Sequence, residues 1–334
     1  MTYLTGEVSV IHDWTKIDFT NFVYSAFRFN GVNSGPTTTI NGATINKIVG
    51  ITIDSVINEN TTTIDEDLIL LGNPKSVFPS TFDGVINEYI SKYSFYFEGD
   101  DKRQFFNFGK PSSVNDLTGS VTVSTFMNVD GDHVVDGYSL ENYSSGSGLG
   151  IGYDNSPDQW RFRVGLSVAG LEDIQTATLS PKTNGAGEWV NITGTWNNDT
   201  KDLKIYVNGK LENTNNYPGN TLVATTQDLR IGGGSTSTGE MKGAINNIVV
   251  WDVALDDSEV LSHYNNGNPY NVLINGPFYD NIVFWSKVGD DSNWNGSDQW
   301  TIKDEVNNIN GLSSTSGAGS FAPMTYSSRI KNTP

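Results

Sequence analysis

Lys204-Ile205-Tyr206-Val207-Asn208-Gly209-Lys210 reads as strand, two-residue turn, strand. An Asn-Gly pair accepts the positive φ values that a type I′ hairpin turn demands, so the chain reverses at Asn208-Gly209. Working outward, Trp189-Val190-Asn191-Ile192-Thr193-Gly194-Thr195-Trp196 is a strand just upstream, and Phe97-Glu98-Gly99-Asp100-Asp101 is a strand running into an acidic turn. Downstream, Leu229-Arg230-Ile231-Gly232-Gly233 and Gly243-Ala244-Ile245-Asn246-Asn247-Ile248-Val249-Val250-Trp251 are two more. Gly232-Gly233-Gly234 leads into Ser-Thr and not into a helix, so it is a turn and not a phosphate-binding loop.

Between these blocks, Val121 to Asn128, Val134 to Tyr138, Leu149 to Tyr153 and Trp160 to Val168 have strand periodicity or are short apolar runs bounded by turn residues. Asp256 to Tyr264 is the one clear helical turn, with Leu255 and Leu261 placed to pack inward and Asn266-Gly267 as the stop. Together they predict an all-β fold, a two-sheet antiparallel jelly-roll sandwich over residues 93–272. Residues 1–92 form a β-rich first region. Its strand candidates are Phe19 to Phe29 and Thr37 to Ile57, and Glu66 to Leu71 with Phe82 to Tyr93 could hold a short helix. Residues 273–334 form a C-terminal extension. Asp280 to Val288 reads there as strand, Leu312 to Ser320 as a Ser/Gly-rich stretch, and the part after Ser313 is too polar to fold alone.

Composition narrows the function. Of 334 residues, 20 are Lys or Arg and 38 are Asp or Glu, a formal charge of −18. Such a surface repels nucleic acid and anionic membranes and suits cations. The chain has no cysteine, which excludes disulfides, thiolate chemistry and Cys-ligated zinc. No stretch approaches the ~18 apolar residues of a membrane span, so no membrane insertion is expected. Met1 to Val10 lack a basic n-region and an apolar h-region, so no signal peptide is expected.

The order and spacing of the blocks from Phe97 to Gly267 resemble the laminin G-like branch of the concanavalin A-like lectin/glucanase superfamily. The resemblance implies a short helix after the last strand, where Asp256 to Tyr264 falls, and a bias toward binding over chemistry. It also implies one Ca²⁺ site, built from an acidic turn and the last strand. That assigns Asp100 and Asp101, with Asn247 where relatives often carry an acid, and oxygen donors in loops are what Ca²⁺ takes. Retaining β-glucanases of this fold place two Glu around an Asp on one strand. Here Glu98-Gly99-Asp100 begins that pattern and Arg103 stands where the second Glu belongs, so no catalytic residue is assigned and no hydrolysis is expected.

Other constellations are weaker. His12, His133 and His263 lie far apart in sequence with no Ser or Cys triad pattern. Asp130-Gly131-Asp132 with Asp136 is a hairpin loop that could also hold a metal. Asp291-Ser292-Asn293-Trp294-Asn295-Gly296-Ser297 matches the first half of an EF-hand loop, but Ile302 takes the place of the bidentate Glu. Tyr153, Trp160, Tyr217 and Trp294 have polar neighbours that suit sugar stacking, whereas Trp189, Trp196 and Trp251 are assigned to packing. Finally, Val283-Phe284-Trp285-Ser286-Lys287-Val288-Gly289-Asp290-Asp291, Trp300-Thr301-Ile302-Lys303-Asp304 and Arg329 to Pro334 resemble the C-terminal segment of laminin G-like structural proteins of marine tailed phages. This resemblance implies a virion surface protein, made in the host cytoplasm, that is homo-oligomeric, attached to other virion proteins through both terminal regions, and able to touch host glycans. A bacterial carbohydrate-binding or adhesive surface protein is the alternative, and a glycan hydrolase stands third.

Overall fold

The computed structural model describes residues 27–30, 39–40, 51–54, 63–64, 91–99, 102–132, 136–144, 146–176, 187–233, 239–315 and 323–334. The chain divides into two compact units, Met1–Glu88 with Asn271–Gly276, and Tyr89–Tyr270 with Pro277–Pro334.

In the first unit, β1 (Phe27–Asn30) pairs in parallel with β3 (Ile51–Asp54), and β2 (Thr39–Ile40) with β4 (Thr63–Ile64). β1, β2 and β3 fall in the two segments read as strand from sequence, and β4 lies beyond them. Glu66 to Leu71 and most of Phe82 to Tyr93 lie outside the described residues.

The second unit is a sandwich of two antiparallel sheets. Its strands begin with β5 (Ser94–Glu98), β6 (Phe106–Asn107), β7 (Val121–Val129), β8 (Gly137–Glu141), β9 (Leu149–Asp154) and β10 (Gln159–Leu166). They continue with β11 (Gly170–Gln175), β12 (Val190–Asn197), β13 (Asp202–Val207), β14 (Lys210–Asn216), β15 (Arg230–Ile231) and β16 (Lys242–Trp251). The last five are β17 (Ile282–Ser286), β18 (Asn293–Trp294), β19 (Trp300–Lys303), β20 (Asn310–Ser313) and β21 (Arg329–Ile330). One sheet has the order β14-β13-β12-β7-β16-β5-β21, with β17 added beside β16, and the other β11-β10-β9-β8-β15-β6-β20-β19-β18. This is the jelly-roll sandwich that alternation and turn chemistry predict.

The hairpin that decides the reading forms as expected. Val207 pairs with Lys210, and Asn208 and Gly209 sit at φ 50° and 76°. The core lies between the sheets and is built from the inward residues of each strand, among them Phe95, Phe106, Ile151, Phe162, Ile192, Trp196 and Ile245. Gly194 is needed where the sheets meet, because a Cβ there would stand 2.1 Å from the Phe162 ring.

The helix α1 (Asp257–Tyr264) is capped by Asp256, whose carboxylate accepts from the backbone of Ser258 and Glu259 while the Glu259 carboxylate accepts from the Asp256 N–H. Asn265, Asn266 and Gly267 follow in left-handed conformation and end it. Leu255 is buried as expected, but Leu261 is 58% exposed. The buried face runs through Val260 and His263, three residues apart, and Leu261 stands about 100° round the helix from Val260.

Residues 277–334 are not a simple appendage. β17 pairs β16, β18 to β20 extend the nine-stranded sheet, and β21 pairs β5 at the edge of the other. The polar segment after Ser313 is ordered, over 323–334, by its own sandwich. Trp300 donates its indole N–H to the Thr325 carbonyl at 2.8 Å, and the Trp189 indole donates to Asn332 Oδ1 at 3.0 Å.

Candidate functional site

Two surfaces combine aromatic rings with guanidinium groups. The first is the outer face of the nine-stranded sheet. Its register sets one row across the sheet: Asp173, Arg163, Gly150, Glu141, Arg230, Asn107, Leu312, Thr301 and Asn293. Beside it run Gln175, Arg161, Gly152 and Tyr138. Arg163 meets Asp173 with two donors, at 2.5 and 2.8 Å. Arg161 meets Asp154 at 2.8 Å and Asp136 at 3.0 Å and also donates to the Tyr138 hydroxyl. Its guanidinium lies 4.9 Å from the Tyr138 ring centroid, while Arg163 covers Tyr143 at 4.5 Å and Arg230 covers Phe105 at 4.6 Å. Burial works to raise the Asp136 carboxyl, but the Asn155 N–H and the Arg161 charge outweigh it and hold the group below the usual carboxylate range. Arg161 and Tyr138 are almost fully buried. This face is a closed ion-pair network, with each arginine placed against a carboxylate or a ring.

The second surface is the open edge of the sandwich, where β18 and β19 of one sheet come near β21 of the other. The loop between β18 and β19 is held by Asn295, whose Oδ1 accepts from the N–H of Ser297, Asp298 and Gln299 at 2.9, 3.0 and 3.1 Å. That brings Trp294 cross-strand from Trp300, with centroids 5.3 Å apart. Trp300 is braced below by Phe95 at 5.1 Å. The turn that its indole anchors then lays Tyr326 over it, 5.8 Å away and inclined by 20°, with Trp294 flanking at 6.3 Å. Tyr326 remains 70% exposed. In the same hairpin Asp298 is exposed and Gln299 is half-buried, its amide donating to the Ser313 carbonyl at 3.2 Å. Arg329, on β21, places its guanidinium carbon 3.7 Å from the Tyr93 ring centroid and 5.9 Å from that of Trp300.

The residues singled out from sequence scatter. Asp100 and Asp101 lie outside the described residues, as do His12 and His133. Asn247 sits at φ 47° in a bulge of β16, where the strand changes neighbour from β5 to β17. Its Oδ1 accepts the Trp285 indole N–H at 2.7 Å, and Asn246 Nδ2 donates to Ser91 and to the Tyr93 carbonyl. The Asn247 oxygen thus takes part in the strand junction. Among the described residues no group of three His, Cys, Asp or Glu converges as a metal site. Asp130 takes the Tyr96 hydroxyl at 2.5 Å, Asp132 takes Lys242 at 2.7 Å, and Asp136 belongs to Arg161, so these three acids have no common focus. The half EF-hand is the Asn295 turn just described.

His263 is fully buried against Trp251 and Tyr270, and burial drives its ring down to about 3. Tyr153 and Trp160 are core residues and Tyr217 packs against the core. Of the four stacking candidates, Trp294 alone belongs to an exposed aromatic cluster. Tyr326 and Arg329 escaped sequence reading, because they lie in a polar tail and only pairing with β5 brings them to the edge.

Asp291 and Glu305 form a carboxyl pair beside Lys287. Glu305 is pushed up, by burial first and then by its bond with Asp291. For Asp291 burial works the same way, but Lys287 prevails and holds it low. The two groups hydrogen-bond each other and leave no room for an anomeric carbon between them, where roughly 5 Å or more is required.

Residues 100–261 match the family model Laminin_G_3, the concanavalin A-like lectin/glucanases superfamily. This part of the chain is similar to laminin G-like, lectin-type domains. No curated protein sequence matches the chain. Among solved structures, a candidate carbohydrate binding protein from Bacteroides ovatus is similar with a TM-score of 0.50 at 16% identity, over 71% of this chain and 62% of that one. The heptameric SAP-like pentraxin of Limulus polyphemus gives 0.40 at 17% identity, over 53% of this chain and 83% of that one. The binding domain of botulinum neurotoxin DC, solved with SialylT, gives 0.40 at 17% identity, over 54% and 44%. The chain thus spans less than two thirds of the first of these proteins.

Proposed function

We propose that the sandwich binds glycans at the Tyr326–Trp294 edge without hydrolysing them, as the outward-facing part of a virus-particle protein. The observation that carries the binding is Tyr326, a ring 70% exposed yet fixed by stacking on a buried Trp300. A pyranose presents a flat face of C–H groups, and an immobile exposed ring receives it with little loss of side-chain entropy. The exposed carboxylate of Asp298, in the turn that follows Trp294, supplies a hydrogen-bonding group in the same hairpin. Hydrolysis is not proposed, because the sheet carboxylates sit against arginines and the Asp291–Glu305 pair is closed. The fold shared with a candidate carbohydrate binding protein is in keeping with this reading.

The virion placement rests on the likeness of the C-terminal segment to marine phage structural proteins, with residues 1–92 as the attachment region and a homo-oligomeric assembly. A bacterial carbohydrate-binding surface protein is the competing reading. Glycan-array binding that Tyr326→Ala abolishes, without release of reducing sugar, is the expected result. Binding untouched by Tyr326→Ala would move the site elsewhere. Mass spectrometry of purified virus particles separates the two placements, and absence of the chain from particles would favour the bacterial one.

A further inference from the structure

Resting on that reading, we infer that the glycan taken at this edge carries a carboxylate, a uronic or ulosonic acid residue, and that Arg329 receives it. In a chain with 38 acidic residues an arginine ordinarily finds one of them. Arg103 has Glu240 at 3.5 Å, and Arg161 and Arg163 have their aspartates. Arg329 makes no ion pair and no side-chain hydrogen bond among the described residues, and its Nε–H is buried without a partner. The guanidinium is held instead by rings, over Tyr93 and beside Trp300.

That environment fixes the plane of the group and strips water from its face, while the N–H edge stays unsatisfied. A guanidinium offers five donors in a rigid fork that matches a carboxylate with two parallel bonds. Desolvation and preorientation both strengthen such a pair. Because Arg329 and Tyr326 rest against the same Trp300, one sugar can stack on the tyrosine while its acid group, or that of the next residue, reaches the arginine. The net charge of −18 opposes an acidic ligand at long range. Screening confines that repulsion to about 8 Å at physiological salt, so the local cation decides.

The test uses the full chain and measures its affinity for polygalacturonate and alginate (carboxylated), a carrageenan (sulfated), and dextran and agarose (neutral). Carboxylated polymers should bind about tenfold or more tightly than neutral ones, the worth of one charge-assisted pair. Arg329→Gln should remove that preference and leave neutral binding unchanged, and Arg329→Lys, which keeps the charge but not the fork, should keep part of it. Melting temperatures of both variants report on folding, and if Arg329→Gln unfolds, the wild-type preference and the lysine variant decide. Equal binding of neutral and acidic polymers, with no effect of Arg329→Gln, overturns the inference and leaves glycan binding standing. A preference for the sulfated polymer over the carboxylated ones also overturns it. Binding to none of them removes the glycan reading itself and this inference with it.

Discussion

The two aromatic–guanidinium surfaces of the sandwich are built from the same residue types and end in opposite states. On the outer face of the nine-stranded sheet, Arg161 and Arg163 are enclosed by Asp136, Asp154 and Asp173 and by Tyr138 and Tyr143. At the edge, Arg329 has rings and no carboxylate, and Tyr326 stands out in solvent. Charge-paired arginines hold a sheet together, whereas an arginine with no carboxylate partner beside an exposed, immobilised ring is a place for something not yet bound. Residue type alone would have favoured the first surface, and ion-pair accounting favours the second.

The largest effect should follow from breaking the closed network. Arg161→Gln leaves Asp154 buried opposite no charge, and loss of one partner of a buried pair costs about 3–5 kcal/mol. Thermal unfolding should show a large drop, with glycan affinity unchanged in whatever protein remains folded. A variant of normal stability that had lost glycan binding would reverse the two assignments.

Next in size is the β16 bulge. Asn247→Ala orphans the Trp285 indole and places alanine at positive φ, which should cost about 1–3 kcal/mol. The drop should be equal in EDTA and in millimolar calcium. A loss seen only with calcium would return Asn247 to metal binding.

Acid titration sharpens the contrast further. The folded-state pKa of Asp136 is depressed, so its contribution is present above the unfolded carboxylate value of about 4 and is lost as pH falls through the folded one. Asp136→Asn should flatten the melting temperature below about pH 4, and Tyr326→Ala should leave that limb as in the wild type. His263, driven down to about 3 from 6.5, contributes separately, with its share complete above 6.5 and lost as pH falls toward 3. The smallest stability change belongs to Tyr326→Ala, expected within about 0.5 kcal/mol for so exposed a side chain. A large fall there would make the ring a structural brace instead of a binding platform.

Local chemistry in the sequence determined most strands of the sandwich, though not β11 or β21, together with the Asn208-Gly209 hairpin, the capped helix from Asp256 and the two-sheet class, because period-2 alternation, positive-φ turns and caps act within a few residues of themselves. The same local logic pointed to Trp294 but could not rank it against Tyr153 or Trp160, whose polar neighbours look alike along the chain and whose rings turn inward. Only the tertiary structure decided the site. Tyr93, Trp300, Tyr326 and Arg329 are brought together by the pairing of β21 with β5 and by one bond from Trp300 to the Thr325 carbonyl. It also decided the fate of Asn247, whose oxygen is taken by a tryptophan 38 residues downstream. Whether a polar group is satisfied depends on partners distant in sequence, so it becomes legible only when the sheets have closed.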